Sequence, residues 1–421
     1  MHHRGAVRSS RRHGSTVVGG HRAYSTRCNA KKPGKAVAAS APAAFRGGAQ
    51  PQQQQQQPQQ QQQRRRPVGL PPAAAPMGGP SRPRDVLGHA PGPVLPDFES
   101  TLKVGETPVL DLSHLSRNPA VKILAKCEFA NPTGSIKDRM VQFVLEQAEA
   151  EGKLPAGGTI VAATSGNTGA SVAMLAAMNG YDYKVITNAK CSAEKVNIMS
   201  AFGGEVVVGP SGVPADHPDH YQNMAISMCD ADPSFYDLDQ YSNPLNPESY
   251  YHTLGPEIWA NTDGHVTHFV AGGSTGGTMS GTGRYLKDQN PEVECVMADP
   301  EGSVFYDYFK NKVPEEELIA GSYLVEGVGK DSIPGAMDFG VVDGILQVAD
   351  ADAFETCLTV AKTTGVLIGG SSGLNVHGAA VLSGKIEEGV IVTVLPDSGF
   401  KYLSKIYNSE WRNKKLNVTA R

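Results

Sequence analysis

Asn131-Pro132-Thr133-Gly134-Ser135-Ile136-Lys137-Asp138-Arg139-Met140 reads as a turn that runs directly into a helix. Pro132 and Gly134 punctuate the turn, and Ser135 is placed to cap free N–H groups. Ile136, Met140, Val141, Val144, Leu145 and Ala148 then recur at helical spacing until Gly152 stops the run. One lysine, Lys137, falls in the first turn. The positive end of the helix dipole disfavours an ammonium group there, and a dry site pushes the amine further toward its neutral, nucleophilic form. A neutral lysine holds an aldehyde cofactor as a Schiff base. Taken alone, Lys-Asp-Arg at a helix start is most often a solvated first turn, so its weight comes from the rest of the chain.

On either side of that stretch, from about residue 93 onward, short β-type runs alternate with helical patterns. This is the rhythm of an α/β fold built on doubly wound, mostly parallel sheets. Strands are expected at 121–125, 159–163, 183–187, 205–208, 265–271, 294–298 and 390–395. Helices are expected at 170–178, 193–202, 249–260 and 351–362 and after Gly373, with a Pro- and His-bearing loop at 209–220.

The opening of the 421-residue chain has a different composition. Residues 1–84 hold 15 of the 38 basic residues and none of the 42 acidic ones, so the remainder carries 23 against 42, a formal charge of −19. A glutamine tract runs from Gln52 to Gln63, broken by Pro58 and followed by Arg64-Arg65-Arg66. Residues 1–92 cannot bury enough apolar surface to offset their chain entropy and read as a disordered tail. The acid-free, Arg- and Ser-bearing start resembles a mitochondrial or plastid transit peptide, with a cytoplasmic tail as the alternative. The acidic body makes nucleic acid an unexpected partner. No apolar run is long enough for a membrane helix. The six cysteines lack Cys-x-x-Cys spacing and suggest neither a metal site nor a disulfide framework.

Two glycine-rich turns each follow a strand and precede a helix. Thr164-Ser165-Gly166-Asn167-Thr168-Gly169 offers hydroxyls, an amide and backbone N–H groups suited to a carboxylate. Gly272-Gly273-Ser274-Thr275-Gly276-Gly277-Thr278 repeats the device, with glycines that let backbone close around a phosphate. Neither has the Gly-x-Gly-x-x-Gly spacing of a dinucleotide site, and the second is not a Walker loop. Two such turns and a first-turn lysine point toward a site.

Ser-Ile-Lys-Asp-Arg at 135–139, Thr-Ser-Gly-Asn-Thr-Gly at 164–169, Ser-Thr-Gly-Gly-Thr at 274–278 and Gly-Gly-Ser-Ser-Gly at 369–373 together resemble the β-family, or fold type II, of pyridoxal-phosphate enzymes. Gly105-Glu106-Thr107-Pro108 is similar to the opening motif of that family, and the likeness runs from about Val104 to the C-terminus. Within the family the cystathionine β-synthase branch is resembled most. The residues that carry this are Leu238-Asp239-Gln240-Tyr241, Asp299-Pro300-Glu301-Gly302-Ser303, Val325-Glu326-Gly327-Val328-Gly329 and Val394-Leu395-Pro396-Asp397-Ser398.

The resemblance implies a large cofactor-binding domain from 93–136 and 244–421 and a small mobile domain from 137–243 that closes on substrate. Pyridoxal 5′-phosphate is the implied cofactor: Lys137 would hold it and move the α-proton, and Asn167 would bond its ring oxygen. Ser274, Thr275, Gly276, Gly277 and Thr278 would hold its phosphate, and Ser371 would face the pyridine nitrogen. Thr164, Ser165, Asn167, Thr168, Gln240 and Gly327 would bind the amino-acid substrate, with Tyr241 and Glu326 as catalytic groups on the second-substrate side.

The implied reaction condenses L-serine with L-homocysteine to cystathionine through an aminoacrylate, in a homodimer. Cysteine synthase, using O-acetylserine and sulfide, is the alternative, suggested by residues 252–259. A catalytically silent scaffold is a third reading, opposed by intact Lys137, Asn167 and Ser371. Ser274 and Lys330 depart from the family pattern. No haem is expected, because no Cys-Pro-Trp-His precedes the core, and the paired regulatory modules of some relatives are not expected after Arg421.

Overall fold

A computed structural model describes residues 103–416 apart from Ser165, 189–190, Ser192, 211–212 and 215–216. The tail at 1–92, its transit segment and the substrate role of Ser165 therefore lie outside the described residues.

The alternation of strand and helix resolves into two sheets. In chain order the elements are β1 (Val109–Asp111), β2 (Val121–Lys126), α1 (Lys137–Ala150), β3 (Thr159–Ala163), α2 (Asn167–Asn179), β4 (Asp182–Asn188), α3 (Ala193–Ala201), β5 (Glu205–Gly209), α4 (Tyr221–Ala231) and β6 (Phe235–Asp237). There follow α5 (Leu245–His252), α6 (Leu254–Asn261), β7 (His268–Gly272), α7 (Gly277–Gln289), β8 (Glu294–Pro300), α8 (Phe305–Phe309), β9 (Gly344–Val348), α9 (Asp350–Thr364), α10 (Gly370–Ser383), β10 (Gly389–Val394) and α11 (Ser409–Lys415). Among the described residues the larger sheet has the order β1-β2-β10-β7-β8-β9 and the smaller β5-β4-β3-β6. Every pairing is parallel except that of β1 with β2. Parallel strands covered on both faces read as continuous apolar runs, and Phe269-Val270-Ala271 in β7 is wholly buried.

The helix expected over 249–260 is two helices. Pro256 has no N–H for a continuous ladder, and Thr253 leaves helical geometry at φ −122°, ψ −71°, so α5 ends and α6 begins there. Helices α4, α8 and α11 and strands β1, β6 and β9 were not expected from the sequence. In α4 Tyr221, Met224, Ala225, Met228 and Cys229 do recur at helical spacing and pack toward Val161 and Ile186, but only Ala225 is fully buried, and β6 is three residues long.

The start of α1 is fixed by buried charges. Arg139 donates to Glu128 at 2.6 and 2.9 Å and to Glu257 at 2.6 and 2.8 Å. Lys126, at the end of β2, donates to Glu257 at 2.8 Å, to the Thr107 carbonyl at 2.6 Å and to Asn261 at 3.0 Å. The side chains of Arg139, Lys126 and Glu128 are 1%, 1% and 0% exposed and that of Glu257 20%, so two cations and two anions neutralise one another with only Glu257 reaching water. Burial alone would raise the Glu257 carboxyl. The hydrogen bonds and charge of Arg139, with Lys126, reverse this and hold it at about 2.

Removing one member of a buried pair leaves an uncompensated charge, at a cost of about 3–5 kcal/mol. Arg139→Leu should lower unfolding stability by that amount, read from the urea midpoint. Because the folded Glu257 carboxyl lies below its ordinary value of 4.5, its contribution is present above that pH and fades as pH falls toward about 2. Acid titration of wild type and Glu257→Gln checks the window.

Candidate active site

The turn ahead of Lys137 is pinned to the segment after β10. The Ile136 N–H donates to the Pro396 carbonyl at 2.8 Å and the Ser398 N–H to the Gly134 carbonyl at 3.3 Å, with Gly134 at φ +74°. Asp138 accepts from the Thr133 N–H at 2.8 Å and from Ser171 Oγ at 2.5 Å. Ser135 does not take the capping position. Ile136 occupies it, and Ser135 Oγ accepts a long 3.4 Å contact from the Lys137 N–H and lies 3.5 Å from Thr133 Oγ1. Lys137 lines a cavity and is half-buried. The protein around it desolvates the amine and lowers its pKa to about 8.

The first glycine turn opens α2. Thr168 Oγ1 donates to Gln240 Oε1 at 2.7 Å, and Gln240 Nε2 donates to the Ala163 carbonyl at 2.8 Å, so Gln240 braces the turn from the end of the small sheet. Asn167 Nδ2 donates to Asp397 Oδ2 at 2.8 Å while Lys401 Nζ donates to Asn167 Oδ1 at 2.8 Å.

The second turn opens α7, a 13-residue helix with no acid in its first turn and no side-chain cap. Gly276 stands at φ +99°, and a Cβ there would lie 2.5 Å from the Met337 backbone. A Cβ on Gly277 would lie 1.8 Å from Asn246 Oδ1. Asn246 in turn donates to the Gln240 carbonyl at 2.7 Å and to Thr275 Oγ1 at 3.0 Å, tying the two turns together. Ser274, Thr275, Gly276 and Thr278 line the cavity; Gly277 packs behind it. Ser371, 5% exposed, lines the cavity from the first turn of α10.

Glu326 sits at the cavity wall between two ammonium groups, 2.6 Å from Lys195 and 2.5 Å from Lys405. Burial pushes its carboxyl up, but the two lysines outweigh this and hold it below the ordinary carboxylate range. Tyr241 Oη lies 3.2 Å from Tyr221 Oη, and Lys330 Nζ lies 4.9 Å from the Tyr241 ring centre and 2.9 Å from Asp331. Burial raises the Tyr241 phenol well above its usual value, so it is protonated at neutral pH. Gly327 lines the cavity at φ +80°, with open space where a Cβ would be.

Lys137, Thr164, Asn167, Thr168, Gln240, Tyr241, Ser274, Thr275, Gly276, Thr278, Glu326, Gly327 and Ser371 thus share one cavity of about 860 Å³. Sequence reading missed Lys195, Asn246, Lys401, Tyr402 and Lys405. Of these only the lysines four apart after Pro396-Asp397-Ser398 carried any signal.

The donor set fits pyridoxal phosphate. A desolvated amine suits its aldehyde, and uncapped N–H groups with the Thr275 and Thr278 hydroxyls suit its phosphate. The Asn167 amide suits its ring oxygen, and the Ser371 hydroxyl its ring nitrogen. The collision of a Cβ at Gly276 or Gly277 with Met337 or Asn246 explains why this cradle is bare backbone.

Residues 100–397 match the family described as "Pyridoxal-phosphate dependent enzyme". The chain is 35% identical to a cystathionine beta-synthase of Apis mellifera over 76% of its own length, and spans 62% of that relative, under two thirds. It is 34% identical to cysteine synthase 1 of Emericella nidulans over 75% of its length and 86% of that protein. Its fold resembles the crystal structure of O-ureido-L-serine synthase, with a TM-score of 0.66, 30% identity, and coverage of 73% of this chain and 93% of that one.

Only the neutral amine attacks an aldehyde. Uptake of pyridoxal phosphate by the apoprotein should therefore quicken as pH rises through about 8 and level off above it. In Lys137→Ala borohydride should fix no cofactor to the protein. A reducible linkage surviving in that variant would assign the chemistry to another lysine.

Proposed function

The chain belongs to the pyridoxal-phosphate dependent enzyme family, and on that premise we propose that it exchanges the β-hydroxyl of L-serine for the thiol of L-homocysteine, forming cystathionine and water. The observation that carries this reading is the extent of the cavity. Beyond Lys137, the two turns and Ser371 it continues to a far wall of Tyr221, Tyr241 and Lys330, which gives space and polar partners to a second amino acid. Sulfide needs neither.

When bound, the cofactor supplies the electron withdrawal that makes an amino acid's α-proton removable. The protein's residues do the remainder. The Thr164 hydroxyl, with the N–H groups that open α2, binds and orients the serine carboxylate, and Gln240, which takes the Thr168 hydroxyl hydrogen, holds that turn rigid. The Lys137 amine takes the α-proton and delivers it to the departing hydroxyl, which leaves as water. The homocysteine thiol then adds at the β-carbon, and the proton it loses replaces the one taken from the α-carbon. Ser371, a hydroxyl and not a carboxylate, does not force protonation at the ring nitrogen, which favours β-elimination over reactions that need a long-lived α-carbanion.

Glu326 enters as a tie across the mouth, joining Lys195 of α3 to Lys405 beyond β10, and segment 137–243 is in this reading the part that closes. A carboxylate held by two ammonium groups is a poor proton donor. The alternative pair, O-acetylserine and sulfide, is favoured by the fuller length match to cysteine synthase 1. Residues 252–259, whose look is common among cysteine synthases, span the end of α5 and the start of α6, where Glu257 belongs to the buried charge network.

Purified protein offered serine or O-acetylserine with homocysteine or sulfide should make cystathionine from serine and homocysteine. Cysteine from O-acetylserine and sulfide, with no cystathionine from any pair, overturns the proposal. Glu326→Gln removes two half-buried ion pairs worth up to about 1 kcal/mol each and should raise KM for serine and O-acetylserine alike by roughly tenfold. Slowing confined to serine would make Glu326 the proton donor instead.

A further inference from the structure

Asn167 is held at both ends of its side chain. An ammonium group has only donors and an ionised carboxylate only acceptors, so Lys401 at 2.8 Å must face the amide oxygen and Asp397 at 2.8 Å the amide nitrogen. Asp397 is itself steadied by the Tyr402 hydroxyl, which donates to the same Oδ2 at 2.7 Å. The amide's orientation is thus dictated by its partners' chemistry. One N–H goes to Asp397, and the second is left to the cavity that Asn167 lines.

Lys401 stands behind Asn167 and is not part of the cavity wall. Its backbone N–H donates to the Ser398 carbonyl at 3.3 Å, and its Cε passes 3.7 Å from where a Cβ on Gly134 would sit, beneath the turn that carries Lys137. The charged groups facing it are Asp397, Asp138 and Lys195.

We infer that Lys401 is a positioning residue: it pulls the Asn167 carbonyl away from the cavity so that an N–H, and never the oxygen, meets the cofactor's ring oxygen. The inference rests on the proposed contact between Asn167 and that oxygen. With Asp397 alone the amide would be anchored at one corner and free to turn about its Cβ–Cγ bond, a torsion with broad minima. With both partners its plane is fixed, and the cation's pull on Oδ1 strengthens the N–H as a donor. An N–H aimed at the ring oxygen favours the deprotonated form of that oxygen.

Lys401→Met, Lys401→Arg, Asn167→Ala and the Lys401→Met/Asn167→Ala pair test this in cofactor-loaded protein. Lys401→Met should shift the bound cofactor's absorbance from its longer- toward its shorter-wavelength band. It should also loosen the cofactor about tenfold, the low end for a hydrogen bond to a charged group. Lys401→Arg should restore both, and Lys401→Met should change neither in the Asn167→Ala background, because Lys401 acts only through the amide. A wild-type spectrum in Lys401→Met, or an effect that persists undiminished without Asn167, overturns the positioning role. That holds also where Lys401→Met merely loosens the fold, since such an effect ignores the Asn167 background. An unchanged spectrum in Asn167→Ala overturns the Asn167 contact and the inference with it, whereas loss of covalently held cofactor only in Lys137→Ala leaves the family reading standing.

Discussion

The buried ion cluster of Arg139, Glu128, Glu257 and Lys126 is the constraint on which the site depends. Ions taken out of water are costly, and their mutual attraction compensates only in a narrow geometry. That narrowness is what makes the cluster useful. Arg139 is two residues from Lys137, Glu128 and Lys126 flank the end of β2, and Glu257 lies in α6. Thr107 and Glu106 join through their own hydrogen bonds to Glu128 and Glu257. With Arg139 fixed, the first turn of α1 has one placement against the larger sheet. The amine of Lys137 inherits it.

Parallel sheets leave the C-terminal ends of their strands as the natural place for ligands, where helix N-termini converge. Strand β3 delivers the Asn167 turn there, β7 the Thr275 turn, and β10 the Pro396–Ser398 segment that staples Gly134 and Ile136. Asn246 then bridges between turns that belong to different sheets, holding Thr275 by its amide nitrogen and the Gln240 carbonyl by the same group. The cavity's floor is therefore one hydrogen-bonded piece. Its mouth is crossed by the Lys195–Glu326–Lys405 bridge, whose members are partly exposed and easier to part.

Much of this was legible in the sequence, for reasons that differ by residue. Lys137, Asn167 and Thr275 stand in strand-turn-helix junctions, and Ser371 where a glycine-rich turn leads from α9 into α10; at each, glycines and hydroxyls form local patterns, and apolar β-runs announced most strands. Lys401 and Lys405 left little trace, because a lysine on a short irregular segment looks like surface until the fold sets Asn167 or Glu326 against it. Asn246 was silent for the same reason: its partners Gln240 and Thr275 lie on different elements, and no local pattern joins them. Glu326 was found as a motif member, yet its two ammonium partners lie far away in the chain and change the chemistry it can do. Helix α4 has an apolar face in Tyr221, Met224, Ala225, Met228 and Cys229, but most of it is only half-buried and the loop at 209–220 runs straight into it. The break between α5 and α6 was masked by apolar residues on both sides of Pro256.

The stapling of Lys137's turn to Pro396 and Ser398 has a consequence for the order in which the molecule acquires reactivity. Asn167 meets Asp397 and Lys401 across sequence separations of 230 and 234 residues, so these contacts await the closure of very long loops and belong late in folding. Until the distal segment docks, the turn ahead of α1 lacks the bonds that Pro396 and Ser398 give it, and the cavity around Lys137 lacks one of its walls. A partly folded chain therefore carries a more hydrated, less nucleophilic amine than the native one. The nucleophile matures only when the polypeptide around it is complete, and the topology acts as its chaperone.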